Sequence, residues 1–374
     1  MKGLYSSEKA VNHLYAQDNF LNKCTLLFVN KKFGWLITHC MFSRFEIKEK
    51  ILNKMSLVDN RLAQDLATRT NSMIAIEAAA LLIINCLALL GNGVVFIVAY
   101  RNRRRLTRTD VLIVALSSTD LLVAVTVMPL SDGAIIKGVW LYNQSLCRFQ
   151  GFCLITFATA SFNTLSVIAI NRYYCVVKPK QYRTVFSTRN TIGFLIIVWT
   201  VTFSFSIAPL IFGADHYSFQ PGKVLCVYPF EINTAYTVGL GVAFIGVPTA
   251  IMSFCYWRVY RKLRRRNRVM SERAYRLNVR EANFTKTALV VVFGFALCWL
   301  PVLVIDAIDT ATGSLTLPRQ LYLFYTFMIL SSSTINPFIY ALVSKRFKEE
   351  LRKVLNQVRL KRNLNETSPR LSET

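Results

Sequence analysis

Seven long stretches that are almost free of charge alternate with short polar segments along the chain. Because a helix rises about 1.5 Å per residue, each stretch is long enough to cross a hydrocarbon core of about 30 Å. The pattern predicts an all-α membrane protein, a seven-transmembrane-helix bundle over residues 74–344. The predicted spans are Ala78–Tyr100, Val111–Leu130, Phe149–Ile170, Thr191–Phe212, Ile232–Trp257, Ala288–Ile305 and Leu321–Ser344.

The composition agrees with a membrane protein. The mean hydropathy is +0.37, with 53% hydrophobic and 17% charged residues. A soluble domain of this length needs a larger charged fraction to cover its surface. A soluble protein with buried helices is the alternative, and the length of the stretches disfavours it.

The net charge of +25 is concentrated after the first, third, fifth and seventh spans, in residues 101–108, 178–189, 258–280 and 345–353. Basic loops remain on the cytoplasmic side of a membrane. We therefore expect a multi-pass plasma-membrane protein with an extracellular N-terminus and a cytoplasmic C-terminus. The basic loops would meet the anionic inner leaflet of the bilayer, and their charge does not indicate nucleic-acid binding.

The two ends of the chain differ from the bundle. Residues 1–73 are a predicted extracellular segment with no apolar signal region at its start. We hypothesise that Met55 is the physiological start and that residues 1–54 are not part of the physiological protein. Residues 345–374 are a predicted cytoplasmic segment, in which Lys345–Leu355 has the pattern of an amphipathic interfacial helix. Candidate phosphorylation sites for arrestin binding follow at Thr367, Ser368, Ser372 and Thr374.

Two of the nine cysteines are placed for a disulfide. After residue 70, only Cys147 and Cys226 fall on the predicted exterior side, where the environment is oxidising. We expect one bridge between them, tying the second exterior loop to the third span. Asn143, two residues before Ser145, is a candidate glycosylation site in the first exterior loop.

Three prolines lie inside predicted spans. Pro248, Pro301 and Pro337 each remove a backbone donor and kink a helix, so they are candidate hinges. Trp299 lies beside Pro301, with Phe295 one turn deeper on the same face. These two rings either form the floor of an outer cavity, where contact with a ligand would bias the hinge, or are ordinary core aromatics.

The residues at fixed places in the spans, taken together and in order, resemble the rhodopsin-like family of G-protein-coupled receptors. The motifs are Gly91 and Asn92; Leu116, Ser117, Ser118, Thr119 and Asp120; Asn171, Arg172 and Tyr173 with Pro179; Trp199; Pro248 and Tyr256; Phe295, Cys298, Trp299 and Pro301; and Asn336, Pro337 and Tyr340. The resemblance covers residues 74–355. It implies a ligand-operated receptor that acts on a heterotrimeric G protein and carries out no covalent chemistry.

The resemblance brings Asp120 together with Ser161, Ser333 and Asn336. These oxygens would suit a sodium ion that favours the inactive state. A polar cluster that holds water without an ion is the alternative. No other cofactor is expected.

The resemblance also assigns the cytoplasmic end. Most relatives carry an Asp before the third-span Arg, whereas Asn171 precedes Arg172 here. We expect Arg172 to pair with Glu281 at rest, and Tyr256 and Tyr340 to approach it in the active state.

Two residues of the expected outer cavity disfavour two ligand classes, amines and retinal. Leu154 stands where amine receptors carry an Asp, and Leu330 stands where visual pigments carry the retinal Lys. The expected lining is mostly apolar, which favours a neutral aromatic or lipid-like ligand: Leu154, Ile155, Ala158, Phe244, Trp299, Val302, Tyr322 and Thr326. Asp306 and Asp309 would receive a basic peptide, or they form a solvated helix end.

Within the family, the run NRYYCVV, Trp140 and the segment Pro221–Tyr236 look similar to melatonin receptors and their orphan relatives. Phe244 and Pro209 stand where melatonin receptors carry a His and an Asn, and Pro337 stands where they carry an Ala. A melatonin-like ligand is expected. A receptor for a peptide or a lipid and a non-signalling seven-helix binding protein are the alternatives. A transporter is disfavoured because the chain shows no two-halves symmetry.

Overall fold

The computed structural model describes residues 60–212, 217–230, 234–266, 272–343, 347–349, 351–353 and 356. Within these ranges it describes the side chains except at 105, 212, 234, 266, 272–284, 341 and 343. The predictions for residues 1–54 and for the phosphorylation sites lie outside the described residues.

Seven long helices follow one another along the chain, and each overlaps a predicted span. We number them first to seventh: Asn71–Arg101; Arg108–Thr126 continued by Met128–Lys137; Gln144–Val177; Thr188–Phe212; Thr234–Gly241 continued to Arg266; Glu272–Thr312; and Arg319–Val343. Short helices cover residues 60–67, Arg103–Arg105 and Pro179–Val185. Residues 347–349 and 351–353, inside the predicted amphipathic segment, are also helical.

Six of these helices are long and apolar enough, among the described residues, to cross a membrane. The apolar sequence of the seventh helix is interrupted by the polar run Ser331–Thr334 and by Asn336, although the helix itself is continuous. It packs against the first and sixth helices, so its polar face is directed into the bundle.

Local sequence explains where several helices begin and break. Thr107 and Asp110 form a capping box at the start of the second helix, with Asp110 Oδ2 accepting from the Thr107 N–H at 2.7 Å. That helix breaks at Val127, two residues before Pro129. The fifth helix contains a π-helical segment, Val242–Gly246, that ends two residues before Pro248. A single π turn inside an α-helix often marks a functional position.

A two-stranded hairpin covers the outer end of the bundle. Strands Ser218–Gln220 and Leu225–Val227 pair antiparallel, with Phe219 opposite Cys226. Cys226 is bonded to Cys147 at the start of the third helix, with 5.3 Å between their Cα atoms. The predicted disulfide is confirmed, and it fixes the hairpin above the helices.

The apolar core has an outer and an inner half. The outer half joins helices to the hairpin through Val224, Leu225 and Val227, and it includes Leu62 and Leu66 of the short helix 60–67. The inner half packs the third, fifth, sixth and seventh helices around Phe295 and Tyr340. Trp299 packs against both halves.

Candidate functional site

Asp120 is at the centre of a polar cluster that joins three helices. Its side chain is 1% exposed, and Oδ2 accepts a hydrogen bond from Asn336 Nδ2 at 2.9 Å. Ser333 also hydrogen-bonds Asp120. Asn92 Nδ2 donates to the backbone carbonyl of Ser333 at 2.9 Å. The first, second and seventh helices therefore meet at one buried carboxylate.

Ser161, the fourth residue predicted for this cluster, contacts it through a neighbour. Its hydroxyl lies 2.7 Å from Thr119 Oγ1, directly before Asp120 in the chain. Among the described residues, three buried oxygens of this region have no hydrogen-bond partner: Asn92 Oδ1, Ser117 Oγ and Asn336 Oδ1. One carboxylate with several neutral oxygens is a donor set suited to a hard cation together with water.

At the end of the bundle opposite the hairpin, Arg172 is buried and held by neutral oxygens. Its Nη2 donates to Thr109 Oγ1 at 2.5 Å and to Asn171 Oδ1 at 2.6 Å. Thr109 in turn donates to Asn171 at 3.2 Å. Asn171 Nδ2 also donates to Tyr182 of the short helix Pro179–Val185, at 3.4 Å. This places Asn171 at the junction of the second helix, the third helix and the loop that follows.

The other residues predicted around Arg172 line the same region. Tyr256 and Tyr340 are 6% and 5% exposed. Tyr340 lies with Arg172, Thr109 and Phe347 in the wall of a mostly apolar cavity between the first, second, third, sixth and seventh helices. Glu281 lies in the sixth helix, and its side chain is outside the described part, so the pairing with Arg172 stays a prediction.

An aromatic cluster connects the third and sixth helices below Pro301. The rings of Trp299 and Phe295 stack with centroids 5.9 Å apart. Phe162 packs edge-on against both, at 5.2 Å from Trp299 and 4.7 Å from Phe295. The sequence prediction missed Phe162, although it directly follows Ser161. Trp299 Nε1 is buried and donates to no described residue.

The predicted ligand contacts lie directly under the hairpin. Leu154, Val302 and Tyr322 share one apolar cluster with its second strand, and Ile155 packs with Tyr217 and Tyr228 at its ends. Phe244, in the π-helical segment, is 2% exposed. Its ring contacts Phe205 of the fourth helix at 4.8 Å.

Seven helices around a buried Asp, an Arg at the inner end of the third helix and a disulfide to a hairpin lid match known proteins. The family model described as 7 transmembrane receptor (rhodopsin family) covers residues 91–340. The chain belongs to the rhodopsin family of seven-transmembrane receptors. It is therefore a G-protein-coupled receptor.

Individual relatives place the receptor near one branch of the family. Melatonin receptor type 1B-B of Danio rerio is 30% identical over 300 residues, 79% of this chain and 86% of the relative. Melatonin receptor type 1A of Ovis aries is 29% identical over 289 residues, 76% and 78% of the two chains. The crystal structure of squid rhodopsin superposes with a TM-score of 0.68 at 20% identity, over 78% of this chain and 87% of the other.

Gln150 is a positioning residue of the receptor that sequence reasoning missed. Its Nε2 donates to the Val127 carbonyl at 2.9 Å and to Ser131 Oγ at 3.0 Å. Its Oε1 accepts from the N–H of Cys226 at 2.8 Å. One buried amide thus joins the break in the second helix to the hairpin. Its position about one turn after Cys147, in an apolar stretch, was the available signal.

Three other predicted residues have structural roles at the outer end. Asn143 caps the third helix, with Oδ1 accepting from the Leu146 N–H at 2.8 Å. Asn143 is exposed, and its glycosylation stays a prediction. Thr326 donates a hydrogen bond to the backbone carbonyl of Lys223 in the hairpin turn. Asp306 is joined to the side chain of the same lysine.

Proposed function

We propose that the receptor binds a small neutral aromatic, melatonin-like molecule under the hairpin and passes the signal to a heterotrimeric G protein. The observation that carries the proposal is the apolar cluster in which Leu154 and Val302 pack with the hairpin, with Trp299 against it. Pockets of this composition select ligands by shape and aromatic contact. The named melatonin receptors among the relatives support the ligand class.

Signal transfer follows the contacts between rings. A ligand that contacts Trp299 biases the stacked Phe295 and the edge-on Phe162. Pro301, two residues from Trp299, lacks a backbone donor, so the sixth helix pivots there at low cost. The ligand shifts the population toward the state in which it has the greater affinity.

At the cytoplasmic end, the inactive state keeps Arg172 on Thr109 and Asn171. Outward movement of the sixth helix opens the apolar cavity beside Arg172 to the G protein, with Tyr256 and Tyr340 moving toward the arginine. Glu281 is the proposed partner that closes this end at rest. Phosphorylated tail residues would bind arrestin, and the basic inner loops would contact anionic lipid.

A sodium ion at Asp120 would stabilise the inactive state. The carboxylate, Ser333, Asn336 and the buried Asn92 oxygen would hold it, with Ser161 positioned through Thr119. The ion supplies charge compensation for a carboxylate that burial disfavours. The N-terminus is extracellular, the C-terminus is cytoplasmic, and the chain catalyses no covalent reaction.

The test is nucleotide exchange on G proteins in membranes that contain the full chain, with and without melatonin. We expect exchange to rise with melatonin, to be lost in Arg172→Ala and to require higher concentrations in Trp299→Ala. Surface-labelled protein must be equal across the variants. Exchange that is the same in Arg172→Ala would overturn the coupling mechanism. Absence of melatonin binding with intact basal exchange would overturn the ligand alone.

A further inference from the structure

Two acidic and two aromatic side chains form a cage at the outer ends of the sixth and seventh helices. Asp306 and Asp309 lie one turn apart on the sixth helix. The Tyr322 hydroxyl donates to Asp309 Oδ1 at 2.6 Å, and the Tyr325 hydroxyl donates to Asp306 Oδ2 at 3.3 Å. These bonds orient the remaining carboxylate oxygens toward one point between the helices.

The ammonium of Lys223 occupies that point. Its Nζ is 3.3 Å from Asp306 Oδ1 and 3.3 Å from Asp309 Oδ2. It also lies 4.6 Å from the centre of the Tyr325 ring and 5.6 Å from that of Tyr322. Carboxylates and electron-rich ring faces are the two kinds of group that bind an organic cation. The cage thus surrounds an ammonium group with both kinds of partner.

Burial makes this cage depend on its occupant. The side chains of Lys223 and Asp309 are 0% exposed and that of Asp306 is 17% exposed. Two carboxylates face one ammonium, so formal charges leave an excess of one negative charge. The Lys223 ammonium is the cation beside Asp309 Oδ2, at 3.3 Å. Removing the ammonium would leave buried charge uncompensated, which is strongly unfavourable.

Lys223 reaches the cage from the turn of the hairpin. The neighbouring Gly222 lies close to the seventh helix, since a Cβ added there would be 3.0 Å from Tyr322 Cδ2. The turn is tethered three residues later by the Cys226 disulfide. A tethered group competes at an effective concentration in the millimolar range for short linkers, so it can be displaced by a sufficiently strong free ligand.

We propose that Asp306, Asp309, Tyr322 and Tyr325 form a second ligand site, specific for a primary ammonium group on an extracellular molecule, and that Lys223 is its intramolecular occupant. An external ammonium that replaces Lys223 releases the hairpin turn from the sixth and seventh helices. The site is separate from the aromatic cluster of Trp299, Phe295 and Phe162, and it does not depend on the identity of a ligand bound at that cluster.

The experiment uses n-butylammonium as the probe and n-butanol as its uncharged control, with the purified full chain in nanodiscs. The variants are Lys223→Ala, which empties the cage, the double variant Lys223→Ala/Asp309→Asn, and Lys137→Ala, an exposed exterior lysine as matched control. The unfolding temperature is measured over a range of probe concentrations.

We expect Lys223→Ala to unfold at a lower temperature than the unmodified chain and to be restored by n-butylammonium but not by n-butanol. The apparent affinity for n-butylammonium should be at least about tenfold weaker in the double variant than in Lys223→Ala, because a charge partner is lost. It should also be at least about tenfold weaker in the unmodified chain, because the tethered lysine competes. Lys137→Ala should respond as the unmodified chain does. Equal responses of all four proteins, or none in Lys223→Ala, would overturn the site.

If Lys223→Ala cannot be purified folded, its recovery is compared after solubilisation with n-butylammonium and with n-butanol. Recovery of monomeric protein with the Cys147–Cys226 bridge intact only in the amine supports the site. Equal recovery of monomeric protein with n-butylammonium and with n-butanol would overturn the site.

Discussion

Arg172 and Asn171, adjacent in the chain, are joined side chain to side chain at 2.6 Å. The acceptor is a neutral amide oxygen, which binds a guanidinium less strongly than a carboxylate does. Thr109 shares the interaction by donating to the same oxygen. The resting restraint on Arg172 therefore lacks a formal charge on its neighbour, and it does not involve proton uptake at position 171.

Asn171→Asp should strengthen this restraint. A carboxylate at position 171 adds charge–charge attraction to the guanidinium, and a gain of roughly 1 kcal/mol is about a fivefold shift in a two-state equilibrium. We expect basal nucleotide exchange to fall about fivefold, with maximal ligand-driven exchange retained. Asn171→Ala, which removes the acceptor, should raise basal exchange. The same direction of change in both variants would contradict the interpretation.

Gln150→Leu should loosen the hairpin. It removes three hydrogen bonds and leaves the buried N–H of Cys226 unsatisfied, so we expect the free energy of unfolding to fall by about 2–4 kcal/mol. Gln144→Leu is the matched control, because Gln144 makes a part-buried bond to the Tyr217 carbonyl at 3.2 Å. Thermal unfolding in nanodiscs measures both. A loss for Gln144→Leu as large as that for Gln150→Leu would refute the role of Gln150.

Glu77 joins the segment before the first helix to the seventh helix. It lies 2.5 Å from Arg69 Nη1 and 2.5 Å from Arg319 Nη2, and all three side chains are largely buried. Glu77→Gln removes the charge shared by two arginines and should lower the free energy of unfolding by about 2–4 kcal/mol, since unpaired buried charge is costly. Asp65→Asn, at an exposed position of helix 60–67, should change it by less than about 0.5 kcal/mol.

Asp120→Asn should remove the effect of sodium on the receptor. With a carboxylate in the cluster, agonist affinity is expected to be several-fold weaker in sodium chloride than in N-methylglucamine chloride at equal ionic strength, because sodium stabilises the inactive state. In the variant, the two salts should give the same affinity. Competition binding in membranes measures this. An unmodified receptor that is indifferent to the cation would exclude the sodium site.

Phe244 stands where melatonin receptors carry a histidine, and it is buried against Phe205 in the π-helical segment. Phe244→His would introduce a hydrogen-bond donor at this buried position. We expect melatonin affinity to rise by about fivefold to tenfold, as one added hydrogen bond predicts. Phe244→Leu, apolar and smaller, should lower the affinity. Radioligand binding measures both affinities. A gain of affinity in Phe244→Leu would show that added room for the ligand, and not a hydrogen bond, raises the affinity.

Some residues of the candidate site were predicted from the sequence, and others were not. Asp120, Ser333 and Asn336 were expected together and are together, because each lies at a fixed place in a recognisable span. Phe162, Gln150 and Lys223 were not expected to act. Each is an ordinary residue for its element, and its role comes from a contact with another helix or with the hairpin.

Sequence by itself determined the seven spans and the Cys147–Cys226 bridge. Both follow from local properties, since the hydropathy of one segment decides whether it enters a bilayer and the sidedness of loops decides which thiols are oxidised. Only the tertiary structure decided that Lys223 would be buried with Asp306, 83 residues further along the chain. Such a pair depends on the fold of the hairpin and on the rotation of two helices, and neither is encoded in the pattern of a single segment.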